Sequence, residues 1–163
     1  MTCARGVFLA LLAAAYSPAD PDIAGVASVI DADTIEIHGE RIRLFGIDAP
    51  ESCQTCIDAS SRTWRCGQRA ALALQELIER RTVSCAERDI DRYGRIVGRC
   101  LVGGLDVNEW LVVQGFALAY RWYSHDYIAA EDQARAARRG VWAGSFEPPW
   151  EWRWEHGSCG RRR

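Results

Sequence analysis

The sequence predicts an α+β domain, and three observations carry that reading. Short runs with apolar residues at alternate positions recur along the chain, stretches with a period near 3.6 stand between them, and glycine, proline or aspartate punctuates the joins. No repeat or internal linker interrupts the 163 residues, so one domain with a proper core is expected.

The first extended stretch runs through SVIDADTIEIHG. Val29, Ile35 and Ile37 share one parity while Glu36 and His38 take the other, the pattern of a half-buried strand. Asp31 and Asp33 then fall at the core parity. A carboxylate there is costly unless it is paired, hydrogen-bonded or bound to a metal. Gly39 permits a turn, after which Ile42 and Leu44 alternate with Arg41 and Arg43. If the two strands form a hairpin, Asp33 and Arg43 are on neighbouring strands. Asp48, Ala49, Pro50 and Glu51 end the second strand and bring further acids to the same rim. Acids from adjacent strands beside an arginine make a hard-oxygen site for Ca²⁺ or Mg²⁺ with a cation placed for phosphate.

Residues 67–81 form an amphipathic helix, with Ala70, Leu74, Leu77 and Ile78 on one stripe. Strands follow at 82–88 and 95–102 around the DRYG turn. Asp106 and Glu109 resemble a capping box for a short helix that Gly115 ends. A last helix is expected from about Ser124 to Gly140.

DADTIEI, RLFGIDAPE and DRYGR, in that order and spacing, resemble the signature segments of the staphylococcal nuclease (thermonuclease) family, over roughly residues 25–143. The resemblance implies a five-stranded OB-type β-barrel with three helices, and a Ca²⁺-dependent phosphodiesterase that cleaves DNA and RNA with weak sequence preference. Single strands would be favoured and products would end in 3′-phosphate. Carried over by motif, Asp33, Asp48 and the Ala49 carbonyl correspond to metal ligands, and Asp31 to an outer-shell acid. Arg43 and Arg95 match the phosphate-binding arginines, and Glu51 the glutamate described as general base. Tyr93 and Tyr120 match positions near the nucleotide, and Trp122 stands where a second tyrosine is usual. Ala32 replaces the more usual glycine of DGDT. The competing reading is a non-catalytic OB-type binding module, and the joint presence of Asp33, Arg43, Asp48, Glu51 and Arg95 argues against it.

Residues 1–19 have the features of an export signal: Arg5, a short apolar run, and small residues from Ala13 to Ala15. Residues 20–25 would be a flexible mature start, 26–144 the nuclease domain and 145–163 a tail. With Cys3 removed six cysteines remain, an even number suited to a periplasmic or secreted protein. Cys85 and Cys100 are equidistant from the DRYG turn, so a regular hairpin sets them opposite each other. Cys56 and Cys66 can close the loop after Glu51, and Cys53 with Cys159 is the remaining pair. CQTC lacks the setting of a redox motif and has no second CxxC for zinc. All 20 Lys/Arg positions are arginine, yet the net charge is −2, so nucleic-acid binding must come from local clusters. The mature protein is expected to be a membrane-free monomer. The tail, with Pro148, Pro149, Trp150, Trp152, Arg153 and Trp154, has a composition that can stack on bases and touch phosphates, or can pack on the domain and fray.

Overall fold

A computed structural model describes residues 22–157 and Cys159. The expected export signal and Arg161–Arg163 lie outside the described residues. Strands β1 (Ile23–Asp31), β2 (Thr34–Ile37) and β3 (Glu40–Leu44) form an antiparallel meander. The stretch read as one strand through Asp31 and Asp33 is two: β1 ends at Asp31, the chain turns at Ala32 and Asp33, and Asp31 pairs with Thr34. Ala32 is fully buried and has no positive φ, so the replacement of glycine is accommodated without strain. The β2–β3 turn has positive φ at both His38 (54°) and Gly39 (86°), as a two-residue hairpin matched to strand twist requires. β1 begins at Ile23, which pairs with Cys85, so residues 23–25 of the stretch expected as a flexible start are strand.

After the rim segment β4 (Ile47–Asp48) comes a small excursion, β5 (Cys56–Ile57) and β6 (Thr63–Trp64), and then helix α1 (Cys66–Ile78). β7 (Thr82–Ile90) and β8 (Ile96–Val102) flank the DRYG turn, and β3 pairs with β8 in parallel. Strands β1, β2, β3, β8 and β7 thereby close on themselves as a five-stranded mixed barrel. β9 (Leu105–Asp106) turns back to pair antiparallel with β8 and leads into α2 (Val107–Val113). The Asp106 carboxylate accepts the Glu109 amide at 3.0 Å, the expected N-cap. β10 (Leu118–Ala119) pairs with β4, and α3 (Ile128–Ala136) packs on α2. α3 is shorter than the expected 124–140 helix. Ser124 accepts the Asp126 amide in a turn before it, and positive φ at Arg138 and Gly140 breaks the helix after it.

The described residues contain four α-helices where three were expected. A 3₁₀ turn at Gly140–Ala143 precedes α4 (Pro149–His156), which forms in the stretch read as a tail. It forms there because it has something to cover. Leu118, Val141, Cys56 and Cys66 make a second small core against which Trp64, Trp142, Phe146 and Trp150 pack. The main core, including Ile35, Ile37, Ile42, Leu44, Leu74 and Leu111, fills the barrel and its seam with the helices.

Three disulfides join Cys85 to Cys100, Cys56 to Cys66 and Cys53 to Cys159. Cys85 and Cys100 are direct partners across β7 and β8, although a bulge between Glu87 and Asp89 shifts the register nearer the turn. Three bridges in a chain of this size belong to an oxidising compartment.

Candidate active site

The acids converge where β2, β3 and β4 meet. Asp33 directly precedes β2, and the Leu44 amide donates to its carbonyl at 2.8 Å, which fixes it beside the end of β3. Asp48 is fully buried in β4, paired with Leu118 of β10. One guanidinium nitrogen of Arg43, Nη2, is 3.0 Å from Asp33 Oδ2 and 2.8 Å from Asp48 Oδ1. Two oxygens, one from the turn before β2 and one from β4, therefore point at one place already held by a cation. Ala49 is buried next to Asp48, and Asp31 is half-buried, its Oδ1 accepting the Ala32 amide.

Burial dominates the titration of this cluster. Loss of water, followed by the nearby Asp33 carboxylate, pushes Asp31 up to about 6. Asp48 is also pushed up to about 6 by burial, against the pull of Arg153 and Arg43.

Glu51 lies on the loop after β4 and is held by its backbone. The Glu51 amide donates to Gln54 Oε1 at 3.2 Å, and the Gln54 amide donates to the Glu51 carbonyl at 2.7 Å. Gly67 at the start of α1 presses on the same turn; a Cβ there would be 1.7 Å from the Glu51 carbonyl oxygen, so only glycine lets the helix approach.

Arg43, Glu51, Tyr93, Arg95 and Tyr120 line one cleft of about 670 Å³, together with Asp91, Tyr123 and Arg153. Arg95 is engaged with its own turn: its Nε donates to Asp91 Oδ2 at 2.6 Å, and its amide to Asp91 Oδ1 at 2.9 Å. Tyr93 is largely exposed, with the Arg92 and Arg95 guanidinium carbons 4.9 and 5.6 Å from its ring centroid. Tyr120 stacks on Tyr123 at 5.7 Å. Trp122 does not line the cleft; it faces a neighbouring cavity of about 500 Å³ with Trp142, Phe146 and Trp150. Tyr123, adjacent in sequence, faces the cleft instead.

Gln54 and Asn108 escaped the sequence reading, and Arg153 entered it only as part of a tail that could touch phosphates or pack and fray. Arg153 of α4 donates from Nη2 to Asp48 Oδ2 at 2.6 Å and from Nη1 to Glu51 Oε1 at 3.1 Å. Gln54, fully buried, also donates from Nε2 to the Glu147 carbonyl at 2.7 Å, linking the Glu51 loop to the tail. Asn108, fully buried, accepts the Cys100 amide and donates to the Phe45 and Gly98 carbonyls, which ties α2 to the end of β3 and to β8. A lone polar residue gives no such signal in sequence, since its partners are set by tertiary packing.

A closed five-stranded mixed barrel with acids and arginines gathered at one rim defines an OB-type hydrolase scaffold. The family described as "Staphylococcal nuclease homologue" matches residues 41–144, and the chain belongs to that family. It is 34% identical to the micrococcal nuclease of Shigella flexneri over 91% of this chain and 91% of the relative. It is 36% identical to an uncharacterized endonuclease of Escherichia coli, covering 81% of this chain and 86% of the relative. A third relative, 41% identical over 83% of this chain and 73% of its own length, is the succinoglycan biosynthesis protein ExoI of Rhizobium meliloti (strain 1021). The protein is a nuclease, a phosphodiester hydrolase, and its substrate is nucleic acid.

Proposed function

We propose that this nuclease is Ca²⁺-dependent and hydrolyses DNA and RNA with little sequence preference, leaving 3′-phosphate ends. The observation that supports this reading is the shared contact of Asp33 and Asp48 with a single Arg43 nitrogen, one positive charge approached by both carboxylates. The donor set fits a hard ion: two carboxylates with the Ala49 carbonyl next in sequence, and Asp31 close enough to Asp33 and Glu51 to feel their charge. No three of Asp31, Asp33, Asp48 and Glu51 bring an oxygen each within 4.8 Å of one another. So few direct ligands suit an ion that keeps waters and leaves positions for a phosphate.

When bound, Ca²⁺ would supply charge to the phosphoryl oxygens and lower the cost of forming the nucleophile. The protein groups then divide the remaining work. Arg43 holds a non-bridging phosphate oxygen, and Arg95 leaves Asp91 to hold another as negative charge grows. Glu51 accepts a proton from the attacking water as its oxygen bonds to phosphorus. The bond from phosphorus to the 5′ oxygen breaks, that oxygen takes a proton from solvent while Glu51 returns its own to solvent, and the phosphate stays on the 3′ side. Tyr93 and Tyr120 offer faces to unstacked bases, which favours single strands, and a water nucleophile makes the 2′-hydroxyl dispensable.

The domain works after export, as a monomer free of the membrane, once a signal ending between Ala13 and Asp20 is removed; the three disulfides support that compartment. N-terminal sequencing of cell-derived protein showing an intact Met1 would overturn the export reading. The activity itself is tested by digesting single-stranded DNA with purified mature protein in Ca²⁺ and in chelator. Cleavage should require Ca²⁺ and leave 3′-phosphate; undiminished cleavage in excess chelator would refute the metal assignment.

A further inference from the structure

Arg153 has no part in the chemistry just described, yet it is lodged in the middle of it. Asp48 has each oxygen on a different arginine, Oδ1 on Arg43 and Oδ2 on Arg153, while the other Arg153 arm rests on Glu51. A pair that served only to stabilise the fold would be badly placed here, because it occupies two acids that the reaction must free. Buried ion pairs also contribute little net stability.

The guanidinium is held in the cleft from both sides. Before it, the Glu147 carbonyl accepts from Gln54 and Pro149 is buried; after it, Cys159 is bonded to Cys53. One helical turn before Arg153, Trp150 packs against Tyr120 and Trp122, with ring centroids 5.9 and 5.5 Å apart. α4 therefore flanks the cleft: Arg153 is in its lining, and Trp150, in the neighbouring cavity, packs on the cleft residue Tyr120.

With a divalent cation held by Asp48, Arg153 would be repelled from that carboxylate. The tethers prevent Arg153 from leaving, so the anion next within reach is a phosphate of the bound strand. A planar guanidinium fork matches phosphate oxygens as well as it matches carboxylates. We propose that Arg153 is a third phosphate-binding arginine of this nuclease, delivered by the C-terminal helix and kept in the cleft by the Cys53–Cys159 bridge. This rests on the metal-dependent nuclease reading above.

The test measures binding separately from cleavage. A fluorescein-labelled oligothymidine with slowly cleaved phosphorothioate linkages is titrated in Ca²⁺ and followed by anisotropy. Arg153→Ala should weaken binding roughly tenfold, the scale of one charged hydrogen-bonding group. It should also flatten the dependence of log affinity on log salt by about 0.7, one phosphate contact on a single strand. Arg153→Lys should recover part of both, and KM should rise more than kcat falls. Cys53→Ser with Cys159→Ser, which leaves the arginine in place but loosens its tether, should weaken binding in the same direction by a smaller factor. Melting curves confirm that each variant is folded, and if Arg153→Ala is not, the cysteine pair and Arg153→Gln carry the same comparison.

Unchanged affinity and salt slope would reduce Arg153 to a structural pair and overturn the proposal. Tighter binding in Arg153→Ala would overturn it in the other direction, making the arginine a plug. Wild-type protein that neither binds nor cleaves the strand would instead bring down the parent reading, an outcome distinct from both.

Discussion

The barrel rim and the C-terminal helix reach the same two acids by opposite routes. At the rim, Asp33, Arg43, Asp48 and Glu51 are close in sequence, and a tight hairpin with its following bend brings them together. Arg153 comes from far along the chain, on a helix held by a disulfide, one buried glutamine and a patch of tryptophans. The first arrangement is rigid because the barrel cannot form without it. The second is docked on a finished barrel, and a docked element can be loosened without unfolding the rest. On the proposed reading, the chemistry that must be preorganised sits on the rim, and an adjustable contact with substrate falls to the tail.

The sharpest break in that comparison comes from the rim and its neighbouring turn. Arg95→Ala should lower turnover by about 10² to 10⁵, the range for losing a cation at a charged transition state. Folding should be little affected, since Arg95 is half-buried on a turn that Asp91 also braces through the Tyr93 amide. Activity within a few-fold of wild type in a folded variant would leave DRYGR as only a turn. Asp33→Ala should abolish Ca²⁺-dependent cleavage, read in the same assay.

Glu51→Gln separates chemistry from metal binding. The amide keeps the size and cannot take a proton, so turnover should fall by about 10² to 10⁴. Calorimetry should show Ca²⁺ still bound, because Glu51 is not among the assigned ligands. Loss of binding would move Glu51 into the metal site.

Opening the Cys85–Cys100 bridge tests the barrel as the rigid partner. The two are 15 residues apart, and a loop of that length is worth about 3 kcal/mol in the chain-entropy account. Replacing both by serine should lower the melting temperature of the whole domain. A variant that melts as wild type does would show that the bridge constrains little.

The smallest effect is on pH. Asp31 and Asp48 are pushed up to about 6 in the folded protein from 3.8, chiefly by burial. The folded state thus holds these protons more tightly than the unfolded chain. Their contribution to stability is full below pH about 4 and is lost as pH rises through about 6. Function runs the other way, since a metal needs the ionised carboxylates, so apparent Ca²⁺ affinity should fall steadily below pH about 6. Melting curves against pH, with and without Ca²⁺, should separate as pH rises through that window. Parallel curves would place the metal away from these acids.

What the sequence by itself determined is whatever depends on neighbours along the chain. The His38–Gly39 turn, the cap from Asp106 to Glu109 and the opposition of Cys85 and Cys100 follow from periodicity and turn chemistry, which are short-range. The set Asp33, Arg43, Asp48 and Glu51 was legible for the same reason, lying within one hairpin and its exit. Tertiary structure decided the rest. The split of the first strand at Asp31 turned on a two-residue bend that alternation alone could not show. The parallel β3–β8 pairing closes the barrel through partners far apart in sequence. Trp122 faces a second cavity while Tyr123 faces the cleft, because the turn after β10 sets which side chain points where. Whether α4 packed or frayed rested on a small apolar patch made by Cys56, Cys66, Leu118 and Val141, residues from four separate segments. Arg153 reaches Asp48 only because that patch exists, and no local pattern encodes a surface assembled from such distant parts.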